Sequence, residues 1–550
     1  MIIMTLITAA LAVPAYWLTL QFNMHMFQQN TYMNGEQLEW IRRNFRMQWI
    51  LVFAMAFGLV SMLCTELKSN ALNVICTVIG WLTLGIIIVV YRLMKEMNSK
   101  KPLVFTARVK RMIATIVCVS LLMLLAPVIL GKLPSESVRE LVIAPLNGFL
   151  LWLVGSQLFM NMLSCVINRP IETAVKNHYL NDAKRILAEN PDLTIIGVTG
   201  SYGKTSVKFY LETLLRAKYS VLVTPESYNT PMGIVMTIRG QLRPSHEIFV
   251  CEMGARYKGE IKEDCDIVNP HHGLITSIGP QHLDTFGSIE TIKDTKFELA
   301  DALPEGGMLF LNGDNEYINE HLSYMKGTGA ELPPAYAAPI MYHAGDAGDK
   351  SGYYATDIKV SAKGTEFTAH APDGTHCAYD MKLIGAHNII NVMGAIAVAH
   401  EMGIALADLK IPVRRLRPAE HRMEMKEQGG VTIIDDAYNS NPIGSRAAVE
   451  TLAMFDGMRI LITPGMVELG ENEREYNRLL GTYAAPCCDR VLLVGRKHTE
   501  PIKEGLLEAG FPENKCVVFD KVEEAIEYAY GIKTDQHKYV LLENDLPDIY

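Results

Sequence analysis

The chain has no surplus of positive charge: 51 Lys and Arg stand against 60 Asp and Glu, a formal net charge of −9 over 550 residues. A nucleic-acid backbone is held by concentrated Lys and Arg, so no nucleic-acid partner is expected. Cysteine is sparse, and none of the ten stands in a Cys-x-x-Cys pair. That argues against a zinc ribbon or a dithiol redox motif and predicts reduced thiols in a cytosolic setting. The adjacent Cys487 and Cys488 read as two small core residues. No Ser-His-Asp or Cys-His arrangement stands out as a source of a protein nucleophile.

Charge of either sign is also missing from the centres of five long apolar runs, roughly 1–20, 47–65, 71–94, 112–131 and 141–165. At about 1.5 Å per residue each is long enough to cross ~30 Å of hydrocarbon as a helix. Without an acidic or basic side chain at membrane depth, these helices read as an anchor or a platform for a lipid-borne substrate rather than an ion path. The first run lacks the basic start of a signal peptide and is taken as a span. Arg42, Arg43 and Arg46 follow the first run, Lys95, Lys100, Lys101, Arg108, Lys110 and Arg111 the third, and Arg169, Lys176, Lys184 and Arg185 the fifth. The second and fourth are followed only by Lys68 and by Lys132 and Arg139. Basic loops stay on the cytoplasmic side, which predicts a multi-pass plasma-membrane protein with everything after the fifth helix in the cytoplasm.

From Asp192 the pattern changes to short β-branched runs followed by helical periodicity, as in βα units. Leu193 to Val198 reads as a buried strand, Thr199 to Gly203 as a loop, and Lys204 to Leu214 as a helix. A strand, a glycine loop and a helix N-terminus are what a phosphate site needs: loop amides and the helix end face the phosphates, Lys204 reaches the terminal ones and Thr205 offers a hydroxyl to Mg²⁺. The spacing is one residue off the strict G-x-x-x-x-G-K-[ST] form, since Val198 takes the first glycine position. Glu252 ends an apolar strand, 247–251, where a hard oxygen ligand for Mg²⁺ fits.

The offset loop, Gly197-Val198-Thr199-Gly200-Ser201-Tyr202-Gly203-Lys204-Thr205-Ser206, resembles the ATP loop of the Mur ligases, which build the peptide of the bacterial cell wall. Further segments resemble the MurF-type branch, which adds D-alanyl-D-alanine to a UDP-linked tripeptide. They are Glu252-Met253-Gly254-Ala255, Ile278-Gly279-Pro280-Gln281-His282-Leu283, Gly385-Ala386-His387-Asn388, 435–442 from Asp435 to Pro442, and Gly465-Met466-Val467-Glu468-Leu469-Gly470. The resemblance covers about 192–541, in family order.

It implies a P-loop ATPase-like α/β central domain and a Rossmann-like α/β C-terminal domain behind the helical membrane domain. The boundaries are placed at 1–168, 169–412 and 413–550. The implied reaction is the ATP-dependent joining of a carboxylate to an amine through an acyl phosphate, on a cell-wall precursor. By the resemblance His282 and Lys296 join Thr205 and Glu252 at the metal, with Lys296 carbamylated; on spacing alone Lys296 reads as a surface helix residue. Asn388 contacts adenine and, by position, also reads as a helix N-cap. Asp436 approaches the ribose and Arg422 the phosphates when the C-terminal domain closes, which keeps water from the acyl phosphate. Thr224, Asn229 and Thr230, and on the far side Tyr438, Asn439 and Asn441, stand at substrate positions.

The sequence departs from the family in three places. Membrane helices occupy the position of the UDP-binding domain, Arg256 lies in a stretch that is more neutral in the family, and Asn477 replaces a His. All three point toward a changed substrate, such as a lipid-linked or polyglutamate-like acceptor. The Ala-, Gly- and Pro-rich segment 327–347 reads as a surface loop. Two rival classes are an exporter driven by nucleotide hydrolysis, which calls for polar residues inside the helices, and an inactive scaffold. The scaffold would have lost Lys204, Glu252, His282 or Lys296, and all four are present.

Overall fold

A computed structural model of the chain describes residues 2–65, 69–96, 102–130, 138–327, 333–345, 351–438 and 440–545. The chain divides into two compact units between Asn177 and His178.

The first unit is helical: α1 (Ile2–Gln29), α2 (Asn34–Arg43), α3 (Phe45–Thr65), α4 (Asn70–Glu96), α5 (Ala107–Leu130) and the start of α6 (Val138–Ala188). Among the described residues four segments are long and apolar enough to cross a membrane: Ile3–Gln29, Phe45–Cys64, Ala71–Met94 and Leu146–Ala188. The expected fourth span, 112–131, lies mostly in α5, which opens on Arg108, Lys110 and Arg111. Lys68, Lys100, Lys101 and Lys132, on which the expected orientation partly rests, lie outside the described residues.

Polar pairs join these helices from within. The Tyr91 hydroxyl donates to Gln48 Oε1 at 2.9 Å, Asn168 Nδ2 donates to Thr115 Oγ1 at 2.8 Å, and the Tyr16 and Ser120 hydroxyls share a bond of 2.8 Å. Small residues bring α3 and α6 together. A Cβ on Gly155 would fall 2.5 Å from the Leu51 carbonyl oxygen, and one on Gly58 would fall 2.6 Å from that of Gly148. Close backbone approach through glycine is a means of packing helices where solvent supplies no hydrophobic drive.

In the second unit, strands buried on both faces form a six-stranded parallel sheet in the order β2-β3-β1-β4-β5-β6. These are β1 (Thr194–Thr199), β2 (Val221–Val223), β3 (Ile248–Glu252), β4 (His272–Ile275), β5 (Leu309–Asn312) and β6 (Ile340–Tyr342). Around them lie α7 (Lys204–Leu215), α8 (Pro231–Gln241), α9 (Glu260–Val268), α10 (Leu283–Phe286), α11 (Ile289–Asp301) and α12 (Glu316–Gly327). An antiparallel meander follows, β7 (Tyr354–Ser361), β8 (Gly364–His370) and β9 (His376–Met381), then α13 (Ala386–Glu401) and α14 (Lys410–Arg414).

The second sheet has the order β10-β11-β15-β12-β13-β14, parallel except for its edge strand. It contains β10 (Glu424–Gln428), β11 (Val431–Asp436), β12 (Met458–Thr463), β13 (Arg490–Val494), β14 (Cys516–Phe519) and β15 (Lys538–Glu543). Its helices are α15 (Pro442–Leu452), α16 (Glu473–Cys487), α17 (Glu500–Glu508) and α18 (Val522–Gly531). Cys487 and Cys488 are free and buried.

Two expectations need correction. The border at 168/169 falls inside α6, which continues to Ala188. The segment 327–347 is not wholly a surface loop: β6 pairs with β5 as the sheet's last strand, and buried Tyr336 donates to Asp301 at 2.9 Å. Residues 328–332, 346 and 347 of that segment lie outside the described ones.

The glycine contacts yield a prediction for the helical unit. Gly155→Leu should cost on the order of 3 kcal/mol by overpacking, read as a lower thermal midpoint in detergent. Gly85→Leu, whose added Cβ meets nothing within 4 Å, should leave the midpoint unchanged.

Candidate active site

β3, β1 and β4 lie side by side and parallel, with Val198 opposite Glu252 and Thr199 opposite Ile275. Their carboxyl ends therefore deliver three segments to one edge, the place where open α/β sheets bind ligands. From β1 comes the loop Gly200 to Gly203, from β3 the carboxylate of Glu252, and from β4 the run from Thr276 to His282.

The loop is pinned to the β4 run. Ser201 N donates to the Ser277 carbonyl at 2.6 Å, Tyr202 N to Ser277 Oγ at 3.1 Å, and the Tyr202 hydroxyl to the Pro280 carbonyl at 2.7 Å. Gly200 has φ of 149°, and a Cβ there would fall 2.1 Å from Thr276 Oγ1, so the close approach requires glycine. Two amides expected to face a phosphate, those of Ser201 and Tyr202, are thus engaged by Ser277. The first turn of α7 keeps the unpaired amides that every helix start has. Lys204 Nζ donates to the carbonyls of Gly200 (2.6 Å) and Ser201 (3.1 Å). Burial lowers its pKa to about 8; Glu252 pulls it upward and Arg422, from the second sheet's side, pushes it further down.

Glu252 is fully buried. Its Oε1 accepts from Thr205 Oγ1 at 3.1 Å and from Asn229 Nδ2 at 3.0 Å, while Lys208 Nζ forms an ion pair with Oε2 at 3.0 Å. Lys208 is also fully buried and donates to the Glu226 carbonyl. The backbone N–H of Glu252 donates to Thr224 Oγ1 at 3.2 Å, and Gly254 N donates to the Asn229 carbonyl at 2.7 Å. The expected metal carboxylate and the expected substrate loop are therefore one hydrogen-bonded assembly. The sequence reading missed Lys208; its signal was its position, one turn beyond Lys204 on the same face of α7.

The other expected residues divide. Lys296 is not a surface residue. It is 2% exposed on α11, and burial, helped by Lys204, brings its pKa down to about 7 against the pull of Glu260, Glu298 and Asp264. His282, with φ of 51°, gives its Nδ1 to Glu468 of the second sheet's side. Burial lowers its pKa, with opposing hydrogen-bond and charge effects from Glu468. Among the described residues no group of three or more His, Cys, Asp and Glu side chains converges as a metal cage.

Asn388 is not a helix cap: α13 begins at Ala386 behind Gly385, and Asn388 Oδ1 accepts from Tyr210 at 2.8 Å while Nδ2 donates to the Ile384 carbonyl at 2.7 Å. Ser206 is buried beside Tyr210. Thr230 and Asn441 cap α8 and α15 through Gly233 N and Gly444 N. Arg422 lies over the Tyr438 ring, 4.6 Å from its centre. Asp436, raised to about 6 by burial and held back by Arg422, accepts from Met423 N at 3.2 Å. Asn439 lies outside the described residues.

A buried acid that the sequence reading did not single out, Glu543, ends β15 opposite Asp436. It accepts from Ser440 Oγ at 2.5 Å, and burial raises it to about 7.

The Lys208–Glu252 pair is open to direct measurement. Lys208→Met leaves a buried carboxylate without its cation and should cost on the order of 3–5 kcal/mol in urea unfolding. The double variant Lys208→Met/Glu252→Gln should lose clearly less than the two single losses combined.

With this geometry in hand, relatives can be compared. Residues 198–399 match the Mur ligase middle domain, and residues 421–543 match the Mur ligase glutamate ligase domain. The UDP-N-acetylmuramoyl-tripeptide–D-alanyl-D-alanine ligase of Bacillus subtilis is 32% identical over 306 residues, 55% of this chain and 63% of that protein. Its Escherichia coli counterpart is 29% identical over 341 residues, 60% of this chain and 73% of that protein. The match to the Bacillus relative thus spans less than two thirds of that protein's length. The crystal structure of MurF ligase from Thermotoga maritima in complex with ADP superposes with a TM-score of 0.57 at 25% identity, over 68% of this chain and 81% of that one. With two family domains matched in order over more than half of its length, the chain belongs to the Mur ligase family.

Proposed function

We propose that this chain is an ATP-dependent ligase of the MurF type that joins a carboxylate to an amine in cell-wall peptide synthesis, anchored in the membrane by its amino-terminal helices with its ligase domains in the cytoplasm. The observation that carries this reading is the convergence of Lys204, Thr205 and Glu252 at the carboxyl ends of β1 and β3, with Arg422 supplied from the C-terminal domain close enough to act on Lys204. Forming an amide from a free carboxylate is uphill. The γ-phosphoryl group of ATP is first passed to the carboxylate oxygen; the amine then attacks the acyl carbon, and inorganic phosphate leaves with that oxygen.

Lys204 and Arg422 neutralise phosphate charge, Asp436 and Asn388 hold the nucleoside, and closure of the two domains keeps water from the acyl phosphate. The oxygens of Thr205 and Glu252 would hold Mg²⁺, which would supply charge neutralisation to the phosphates of ATP. His282 ends the run that β4 delivers to the same sheet edge. Lys296 fits carbamylation: burial holds its amine near neutrality, and the neutral amine would bond to the carbon of CO₂ and release a proton, leaving an anion where a lysine cation would otherwise stand. The hydrogen bond from Asn229 to Glu252 ties the 224–230 loop to this acid, which supports reading that loop as the seat of the carboxylate substrate.

A second reading concerns the acceptor alone. Among the described residues four long apolar helices stand ahead of the middle domain, which favours an acceptor carried by the membrane, lipid-linked or polymeric.

Detergent-solubilised protein supplied with ATP, candidate carboxylates and hydroxylamine should yield the hydroxamate of the true carboxylate substrate. Lys204→Ala should reduce it by at least 100-fold; undiminished trapping in that variant sinks the ligase reading. Lys296 supplies a pH test. Below about pH 7 its amine is protonated and cannot take up CO₂, and above it the amine is neutral. A ¹³C carbamate signal from labelled bicarbonate should therefore grow as pH rises through 7 and be missing in Lys296→Met.

A further inference from the structure

Arg256 and Asn477, two of the three departures from the family pattern, both bear on Glu468: Arg256 pairs with its carboxylate, and Asn477 braces the loop that carries it. Glu468 lies in the loop after β12, with φ of 63°. Its Oε1 pairs with Arg256 Nη2 at 2.6 Å, its Oε2 takes His282 Nδ1, and its backbone carbonyl accepts from Leu283 N at 3.0 Å. Three groups of the central domain are thus held by one residue of the C-terminal domain.

Asn477, 1% exposed on α16, fixes the loop that presents it. Its Oδ1 accepts from Met466 N at 2.8 Å, and its Nδ2 donates to the carbonyls of Met466 (2.9 Å) and Glu473 (3.0 Å). The amide satisfies both polar groups of Met466, two residues ahead of Glu468. An imidazole at 477 would lose its acceptor nitrogen on protonation, whereas the carboxamide keeps both its acceptor and its donors at every pH.

We propose that Glu468 is the positioning residue of His282. By accepting from Nδ1–H it sets the ring's orientation and tautomer and leaves the Nε2 lone pair for the metal–nucleotide centre, and Arg256 and Asn477 hold Glu468 in that place. A carboxylate behind a histidine commonly serves this purpose at metal sites. Here it comes from the other domain, so the histidine is oriented only when the domains are together. Closure and metal binding then favour each other by the same factor. Arg256 and Asn477 accordingly serve this latch rather than the choice of substrate. The inference rests on the reading of His282 as a metal residue.

The test uses the full detergent-solubilised chain, Mn²⁺ as the probe, ADP as the nucleotide, and two readouts: Mn²⁺ affinity by electron paramagnetic resonance, and hydrogen exchange of the peptide holding the Leu283 amide. Glu468→Ala should weaken Mn²⁺·ADP binding at least tenfold and speed exchange at Leu283, with metal-free ADP affinity and thermal midpoint unchanged. Glu468→Gln, which keeps an acceptor oxygen, should recover most of the affinity, and Arg256→Met should show an intermediate loss. If Glu468→Ala binds Mn²⁺ as the parent does while His282→Ala does not, the positioning role is overturned and the metal reading stands. Unchanged affinity in both variants overturns the metal reading of His282 and this inference with it. Equal losses in metal affinity, metal-free ADP affinity and thermal midpoint also overturn it, since they mark a merely structural residue.

Discussion

A fully buried carboxylate, that of Glu252, is the constraint around which the ligase half of this protein is arranged. Moving an anion out of water costs several kcal/mol even after relaxation, and the cost is offset only where a cation and well-placed donors surround it. The groups meeting that need come from two segments: Lys208 and Thr205 from the helix behind the phosphate loop, and Asn229 from the loop after β2. The folding requirement and the site requirement therefore coincide. The helix that carries Lys204 and the 224–230 loop are both docked on the same acid.

The sheet supplies the rigidity. Because β3, β1 and β4 run parallel in tight register, their ends project Glu252, the glycine loop and the Thr276–His282 run to one edge, and backbone bonds from Ser277 fix the loop against that run. The second sheet follows the same logic. Asp436 and Glu543 end neighbouring parallel strands, and burial raises the pKa of both acids. The two edges communicate through charged side chains: Arg422 acts on Lys204 as a like charge that lowers its pKa, and Glu468 pairs with Arg256 and His282. Within the helical unit the means differ: glycines allow backbones to touch, and carboxamide and hydroxyl pairs join the helices from within.

Much of this was legible in the chain itself, for reasons that are local. Apolar runs of twenty residues without charge announce long helices. The β-branched run before Gly200, the glycines and the Lys-Thr pair announce a phosphate loop, since strand pairing, positive φ and a helix start each demand particular residue types at fixed spacing. The strand carrying Glu252 was legible too, and so were the reduced cysteines. The meander at 354–381 and the edge strand Ile340–Tyr342 escaped notice, because a short strand is stabilised by its neighbours rather than by its own composition.

What the sequence by itself determined is thus the set of elements and the chemistry each one bears. Only the tertiary structure decided which of those groups are buried and with whom. Lys296, a surface residue by helical spacing, becomes a buried amine near neutrality because α11 packs it under the sheet edge. Asn388, a cap by position, is inside its helix and paired with Tyr210. Lys208 looks like any helical lysine until β3 sets a carboxylate 3.0 Å from it. Burial and charge pairing depend on atoms far apart in the chain, and the energy of an ionisable group is set by those atoms rather than by its sequence neighbours.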